Sequence, residues 1–278
     1  MPDVLIDPTA LAARLGEPGL VLLDVRWALG DPHGRDHYLR EHLPTAVFVD
    51  LDAELAGPPS PALGRHPLPA VEELQRSARR WGISAGSRVV AYDASGGMAA
   101  ARAWWLLRWA GHTDVQLLDG GLPAWRAAGL PLSSGGVTAA PGDVVLAGGH
   151  LPVVDADAAA TWATDGGVLV DARAGERYRG ETEPIDPRAG HIPGAVSAPT
   201  AANLGEDGRF RSAATLRERF AALGIETGTA VAVYCGSGVT AAHEIAALAV
   251  AGIDAALYPG SWSQWSSDPD RPAETGSR

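Results

Sequence analysis

Among 278 residues there is a single cysteine, Cys235. One cysteine cannot close an internal disulfide or supply a multi-cysteine zinc site. It serves either as a small buried apolar residue or as a reactive thiol. Positive charge is also scarce: 22 Lys and Arg stand against 33 Asp and Glu, a net charge of −11. A nucleic-acid binder needs a basic face to meet phosphates, so neither DNA nor RNA is an expected partner. No apolar run approaches 18 residues without a charge or a breaker, so no membrane-spanning helix is expected. Met1-Pro2-Asp3-Val4 lacks the basic stretch and apolar run of a secretory signal. The cytoplasm is the expected location, and its reducing conditions keep Cys235 a thiol. No metal cluster and no dinucleotide fingerprint is present, so neither a metal nor a cofactor is expected.

Apolar material is plentiful, at 46% against 20% charged residues, which suits a soluble protein with a substantial core. The chain reads as two copies of one pattern. LVLLDVRW (20–27) parallels VLVDAR (168–173), each a short apolar run ending in Asp-x-Arg. HYLREHLPTAVFVD (37–50) parallels AGHIPGAVSAPT (189–200), and the long stretch 71–93 parallels 213–235. LLDGGLPAW (117–125) parallels LYPGSWSQW (257–265). A repeat of about 140 residues is too long for a solenoid and suits a duplicated domain.

Within each copy, apolar runs bounded by Gly, Asp or Pro alternate with helical periodicity. Strands are predicted at 20–25, 88–92, 114–118, 168–171, 230–234 and 254–258. Helices are predicted at 70–81, 97–110, 213–223 and 239–251. Buried runs alternating with helices imply an α/β fold, each copy a parallel sheet flanked by helices. The Gly-, Ser- and Pro-rich stretch 133–152 reads as a connector. The division expected is 1–135, a linker at 136–152, and 153–278.

The copies differ most at one turn. After VVAYD the first copy continues Ala94-Ser95-Gly96-Gly97 behind Asp93; after VAVYC the second continues Gly236-Ser237-Gly238-Val239-Thr240 behind Cys235. The cysteine ends a strand and opens a glycine-rich turn into a helix. In open α/β sheets ligands bind at such carboxyl ends. Backbone N–H groups converging there form an anion cradle that favours a thiolate. Gly236 and Gly238 let the backbone curl. Asp93 places a carboxylate at the matching point, so the first copy should repel an anion and lack this chemistry.

GHIPGA (190–195), CGSGVTA (235–241) and YPGSWSQW (258–265), with YDASGG (92–97) and LLDGGLPAW (117–125), together resemble the rhodanese superfamily in its tandem-domain form. The resemblance spans nearly the whole chain. It implies two rhodanese-like domains, the second catalytic, and a cysteine that takes up sulfur as a persulfide and passes it on. CGSGVTA has no basic residue and looks like the loop of 3-mercaptopyruvate sulfurtransferases rather than that of thiosulfate enzymes. Cysteine phosphatases that share the fold need a loop arginine, which is absent here.

The same resemblance implies roles for individual residues. Cys235 is the nucleophile. Ser237, His66 (from RHPLP) and Asp52 form a proton relay, with Asp50 close enough to Asp52 to be confused with it. Arg177 and Arg188 hold the substrate carboxylate and keto group, with Arg179 the competitor for Arg188. Gly236, Gly238, Val239 and Thr240 complete the binding loop. His191 and the Asp-x-Arg pairs are expected to be structural, the nine Trp to be packing residues, and Trp262 also to wall the pocket. The expected partners are a small-molecule sulfur donor and a thiol, thioredoxin-like or cyanide acceptor, on a monomer. Two alternatives stay open: a thiosulfate sulfurtransferase and a non-catalytic sulfur-carrier module.

Overall fold

The computed structural model describes residues 3–277. The chain forms two compact units. The first comprises Met1–Gly57, Pro69–Leu151 and Gly205–Phe210; the second comprises Pro58–Leu68, Pro152–Leu204 and Arg211–Arg278.

In the first unit five strands, β1 (Leu5–Ile6), β2 (Leu20–Asp24), β3 (Val47–Phe48), β4 (Arg88–Tyr92) and β5 (Val115–Leu118), make one sheet. All pairings are parallel, in the order β1-β5-β4-β2-β3. β4 lies at the centre because its residues Val89–Tyr92 are all apolar or aromatic and fully buried, which only a strand covered on both faces tolerates. Helices Val71–Arg80, Ala100–Trp109 and Gly121–Ala127 flank this sheet in sequence.

The second unit repeats the arrangement with β6 (Val168–Asp171), β7 (Val196–Ser197), β8 (Val231–Tyr234) and β9 (Ala256–Leu257), in the parallel order β7-β6-β8-β9. A parallel bridge from Val153 to Leu257 stands where β1 stands in the first unit. Helices Ala213–Ala221 and Val239–Val250 follow the sequence expectation closely. Helix Val239–Val250 is mostly apolar, with Thr240, His243 and Glu244 as its polar residues, and is buried over most of its length, as a central α/β helix must be.

The duplication extends to buried polar contacts. Arg26 pairs with Asp24 at 2.7 Å and Arg173 with Asp171 at 2.6 Å. Tyr38 donates to the Ala46 carbonyl at 2.9 Å, and Tyr178 to that of Ala195 at 2.7 Å. His42 stacks on Tyr38 with centroids 4.4 Å apart, and His191 on Tyr178 at 3.7 Å. These are the structural roles that the Asp-x-Arg pairs and His191 were expected to fill. Six Trp, including Trp125 and Trp262, are almost fully buried.

Two features were not expected. The connector through residue 151 belongs to the first unit. Gly142 donates to Arg79 O at 2.8 Å, Leu146 to Gln75 Oε1 at 2.9 Å and Ala147 to Ala110 O at 3.0 Å, while Val144 and Leu146 are buried. It is an ordered strap because the side chains of Val144 and Leu146 find a core and its backbone finds partners. In addition, segment 58–68 belongs with the second unit and 205–210 with the first. Among the described residues, no helix is long and apolar enough to cross a membrane.

Candidate active site

Cys235 follows directly on β8. Its residue is about 1% exposed, and Ser237, Gly238 and Val239 are buried with it, so the loop is closed over up to Thr240. Gly238 is the N-cap of helix Val239–Val250, with φ +81°. Its N–H donates to Cys235 Sγ at 3.1 Å. A Cβ on Gly238 would stand 2.6 Å from the Pro259 carbonyl oxygen, so this turn demands glycine on two counts.

The first unit shows what such a cradle is built to hold. Asp93 Oδ1 accepts from the N–H groups of Ser95 and Gly97 at 2.8 and 2.9 Å. Its Oδ2 accepts from Ala99 and Ala100 at 2.8 and 3.0 Å. A built-in carboxylate takes four donors, so the position is already filled as well as repulsive to anions. In the second unit the equivalent position carries sulfur in place of the carboxylate.

The 258–265 segment braces the cysteine. Trp262 N–H donates to Cys235 O and Ser263 N–H to Gly236 O, both at 2.9 Å. Ser261 is fully buried at φ +53°, a rare backbone state for a non-glycine residue. Its Oγ accepts from Cys235 N–H at 3.2 Å and donates to Tyr258 O at 2.9 Å. In the first unit Gly121 holds the same place at φ +56°, and a Cβ there would lie 2.5 Å from Asp93 O. Ser261 is a site residue that sequence reading missed; the signal was the serine facing a glycine in the aligned repeats.

Segment 58–68 brings His66 to the loop. Gln264 Nε2 donates to Ala62 O at 2.6 Å, and Arg65 N–H to Ser263 Oγ at 3.1 Å. Gly64, at φ +87°, fits where a Cβ would be 2.6 Å from Gly260 O. Thus pinned, His66 Nδ1 lies 2.8 Å from Ser237 Oγ, both side chains being buried. The two are 171 positions apart in the chain.

Asp52 lies in the first unit, in helix Leu51–Glu54, where Trp27 Nε1 donates to its Oδ2 at 3.1 Å. Asp50 is distinct from it: it caps that helix through Oδ1 and Ala53 N–H at 3.1 Å.

The arginines divide sharply. Arg177 bonds Glu183 through Nη2 at 2.6 Å and Asp186 at 3.1 Å. Its Nη1 is 3.4 Å from where a Cβ on Gly236 would stand. Arg188 requires a correction. Its Nε donates to Ser266 O, its Nη1 to Arg271 O, and its Nη2 to both Trp265 O and Asp268 O, all between 2.6 and 2.9 Å except the Trp265 bond at 3.0 Å. Each charge-assisted bond is worth about 1.5–3 kcal/mol, so surrendering them costs more than one substrate contact returns. Arg188 therefore fastens the chain after helix Ser261–Trp265. Arg179, its competitor, pairs with Glu181 at 2.7 Å near the surface. Trp262 needs a second correction: it is fully buried and sits 4.7 Å from the Arg173 guanidinium, so it supports that arginine instead of walling a pocket.

Burial pushes the Asp186 carboxyl up, while the adjacent Arg65 and Arg177 guanidinium groups pull it down. Burial disfavours a charged Arg173, but Asp171 and Glu183 outweigh it and keep the guanidinium firmly protonated.

The Rhodanese-like domain family matches residues 7–128 and again 155–268. The chain belongs to the rhodanese family. It is 50% identical, over 98% of its length and 98% of the relative, to a Pseudomonas aeruginosa protein named "Probable 3-mercaptopyruvate sulfurtransferase". It is 47% identical, over 99% and 98%, to Mycobacterium tuberculosis SseB, provisionally named a thiosulfate sulfurtransferase. The crystal structure of Escherichia coli SseA, a 3-mercaptopyruvate enzyme, superposes with a TM-score of 0.82 at 32% identity, covering 93% of this chain and 98% of that one. Like them, the chain is a sulfurtransferase with two rhodanese-like domains.

Proposed function

We propose that the chain moves sulfur from 3-mercaptopyruvate to an acceptor through a persulfide on Cys235, with the catalytic chemistry in the second unit. The observation that carries this reading is the Ser237–His66 hydrogen bond beside a sulfur loop whose own residues bear no charge. The Cys235 thiolate attacks the donor sulfur. An S–S bond forms, the C–S bond breaks, and the electron pair leaves with the enolate of pyruvate. That enolate needs a proton; Ser237 supplies it, and His66 restores it to the serine. Acid–base assistance of this kind is worth about 10²–10⁴ in rate. The Gly238 N–H and the turn stabilise the sulfur anion as in other preorganised anion sites. Arg177 is proposed as a guanidinium for the donor's carboxylate. With one cysteine in the chain, discharge falls to an outside thiol, a thioredoxin-like protein or cyanide.

A second reading is favoured by the thiosulfate name of the M. tuberculosis relative. Thiosulfate carries two negative charges and leaves as sulfite, for which a proton relay is dispensable. The deciding measurement is kcat/KM for both donors with one acceptor. Mercaptopyruvate should be preferred more than about tenfold, a difference of about 1.4 kcal/mol in transition-state binding. The opposite preference overturns the donor assignment. Mass spectrometry after donor treatment should show one added sulfur atom on Cys235, and Cys235→Ser should lose it together with turnover.

A further inference from the structure

We infer that Arg65 is the second guanidinium of the sulfur site, the one that grips the donor's carboxylate or keto oxygen together with Arg177. The inference rests on the donor reading above and extends it to a residue that the sequence did not single out.

The argument begins with Asp186. This buried carboxylate binds two arginines at once: its Oδ1 accepts from Arg65 Nη1, and its Oδ2 from Arg177 Nη2 at 3.1 Å. Each arginine then turns its other terminal nitrogen toward the sulfur loop. Arg65 Nη2 lies 3.1 Å, and Arg177 Nη1 3.4 Å, from the place a Cβ on Gly236 would occupy. Gly236 directly follows the nucleophile. One carboxylate thus acts as a clip that sets two guanidinium edges side by side over the residue next to Cys235.

A 2-keto acid offers two acceptor groups at fixed separation, its carboxylate and its keto oxygen. Two planar donors at fixed separation match that better than one. Arg188 cannot serve, since its nitrogens are given over to four backbone carbonyls. Arg65 has no such commitment: beyond its Asp186 contact, its buried Nε finds no hydrogen-bond partner. Its backbone is nonetheless fixed by the Ser263 contact and by the close fit of Gly64. It is a restrained arm with an unspent fork. Gly236 is small for the same reason, because any side chain there would stand between the loop and both arginines.

The test is Arg65→Gln, with Arg65→Lys beside it. In Arg65→Gln the KM for 3-mercaptopyruvate should rise about 10- to 100-fold while kcat stays within about threefold, as for loss of a charge-assisted contact. Arg65→Lys keeps the charge but loses the fork, and should fall between. A second readout is independent of the donor: the ratio of Cys235 alkylation rates by iodoacetate and by neutral iodoacetamide. Arg65→Gln should lower that ratio several-fold at an unchanged iodoacetamide rate. If the wild type prefers thiosulfate yet the ratio falls, the donor reading fails and the anion-binding role of Arg65 stands. If both KM and the ratio stay within twofold of wild type, or if the two alkylation rates fall together, Arg65 only tethers its segment and the inference is overturned.

Discussion

Arg177 and Arg188 lie 11 positions apart and carry the same functional group, yet their surroundings give them opposite work. Arg177 is held by carboxylates and turns one nitrogen to Gly236. Arg188 is surrounded by carbonyls that themselves need donors. Arg177→Ala should therefore raise KM for an anionic donor by about 10-fold or more with a modest change in melting temperature. Arg188→Ala should take a donor from four carbonyls, of which those of Trp265 and Asp268 keep backbone bonds at 3.3 Å, and destabilise the fold by about 2–4 kcal/mol, read in urea unfolding, with KM little changed in the folded fraction. The swapped outcome, KM responding to Arg188 alone, would restore the role that the sequence suggested for it. The arginine of RHPLP drew no attention in the sequence because its neighbour His66 carries the recognisable motif.

At the scale of the element, the site is one strand–turn–helix unit used twice with different contents. Asp93 fills the first cradle with a carboxylate and four N–H bonds. Cys235 leaves the second cradle to sulfur. The glycine at its N-cap is the sensitive point. Gly238→Ala must accept φ +81° and a Cβ 2.6 Å from Pro259 O. The left-handed conformation alone costs about 1–2 kcal/mol, and relief of the clash would swing the N–H away from Sγ. Persulfide formation by Gly238→Ala should slow by about tenfold or more in stopped-flow sulfur loading, beyond any loss in melting temperature. The longer elements were legible from periodicity: β2, β4, β5, β6 and β8 and the helices 71–80, 100–109, 213–221 and 239–250 fall within a few residues of expectation, and the two-residue β9 lies inside the apolar run predicted at 254–258. β1, β3 and β7 were not. Two-residue edge strands carry no period, and only pairing with a neighbour defines them. Short helices such as Leu51–Glu54 and Ser261–Trp265 escaped for the same reason.

At the scale of the whole molecule, one buried group away from the sulfur site links stability to pH. Glu244, on helix Val239–Val250, is fully buried and accepts from Asn203 at 2.6 Å, with Arg219 at 3.5 Å. Burial pushes its carboxyl up to about 7, only partly opposed by Arg219, Thr200 and Asn203. An unfolded glutamate ionises near 4.5. Between those two values the unfolded chain has released this proton and the folded chain has kept it. Stability from this group is therefore present below pH 4.5 and lost as pH rises to about 7, by about 3 kcal/mol at most. Urea unfolding at pH 5 and pH 8 should show the loss in wild type and a clearly smaller one in Glu244→Gln, whose amide keeps an acceptor for Asn203. Equal losses in the two proteins would show that Glu244 is ionised in the folded state at both pH values.

The sequence by itself determined the duplication, the parallel α/β class and the sulfur-bearing turn, because each is written in local pattern: buried runs, helical period, and glycines beside a lone cysteine. The exchange of Asp93 for Cys235 also marked the second copy as the one expected to carry the sulfur chemistry. Tertiary structure alone decided which guanidinium groups stand beside Gly236, the residue after Cys235. A charged side chain on a long flexible stem goes wherever folding brings an unsatisfied acceptor. For Arg188 that was a ring of carbonyls, and for Arg65 and Arg177 it was the shared carboxylate of Asp186. Such destinations depend on segments far apart in the chain, and no spacing within one of them records the outcome.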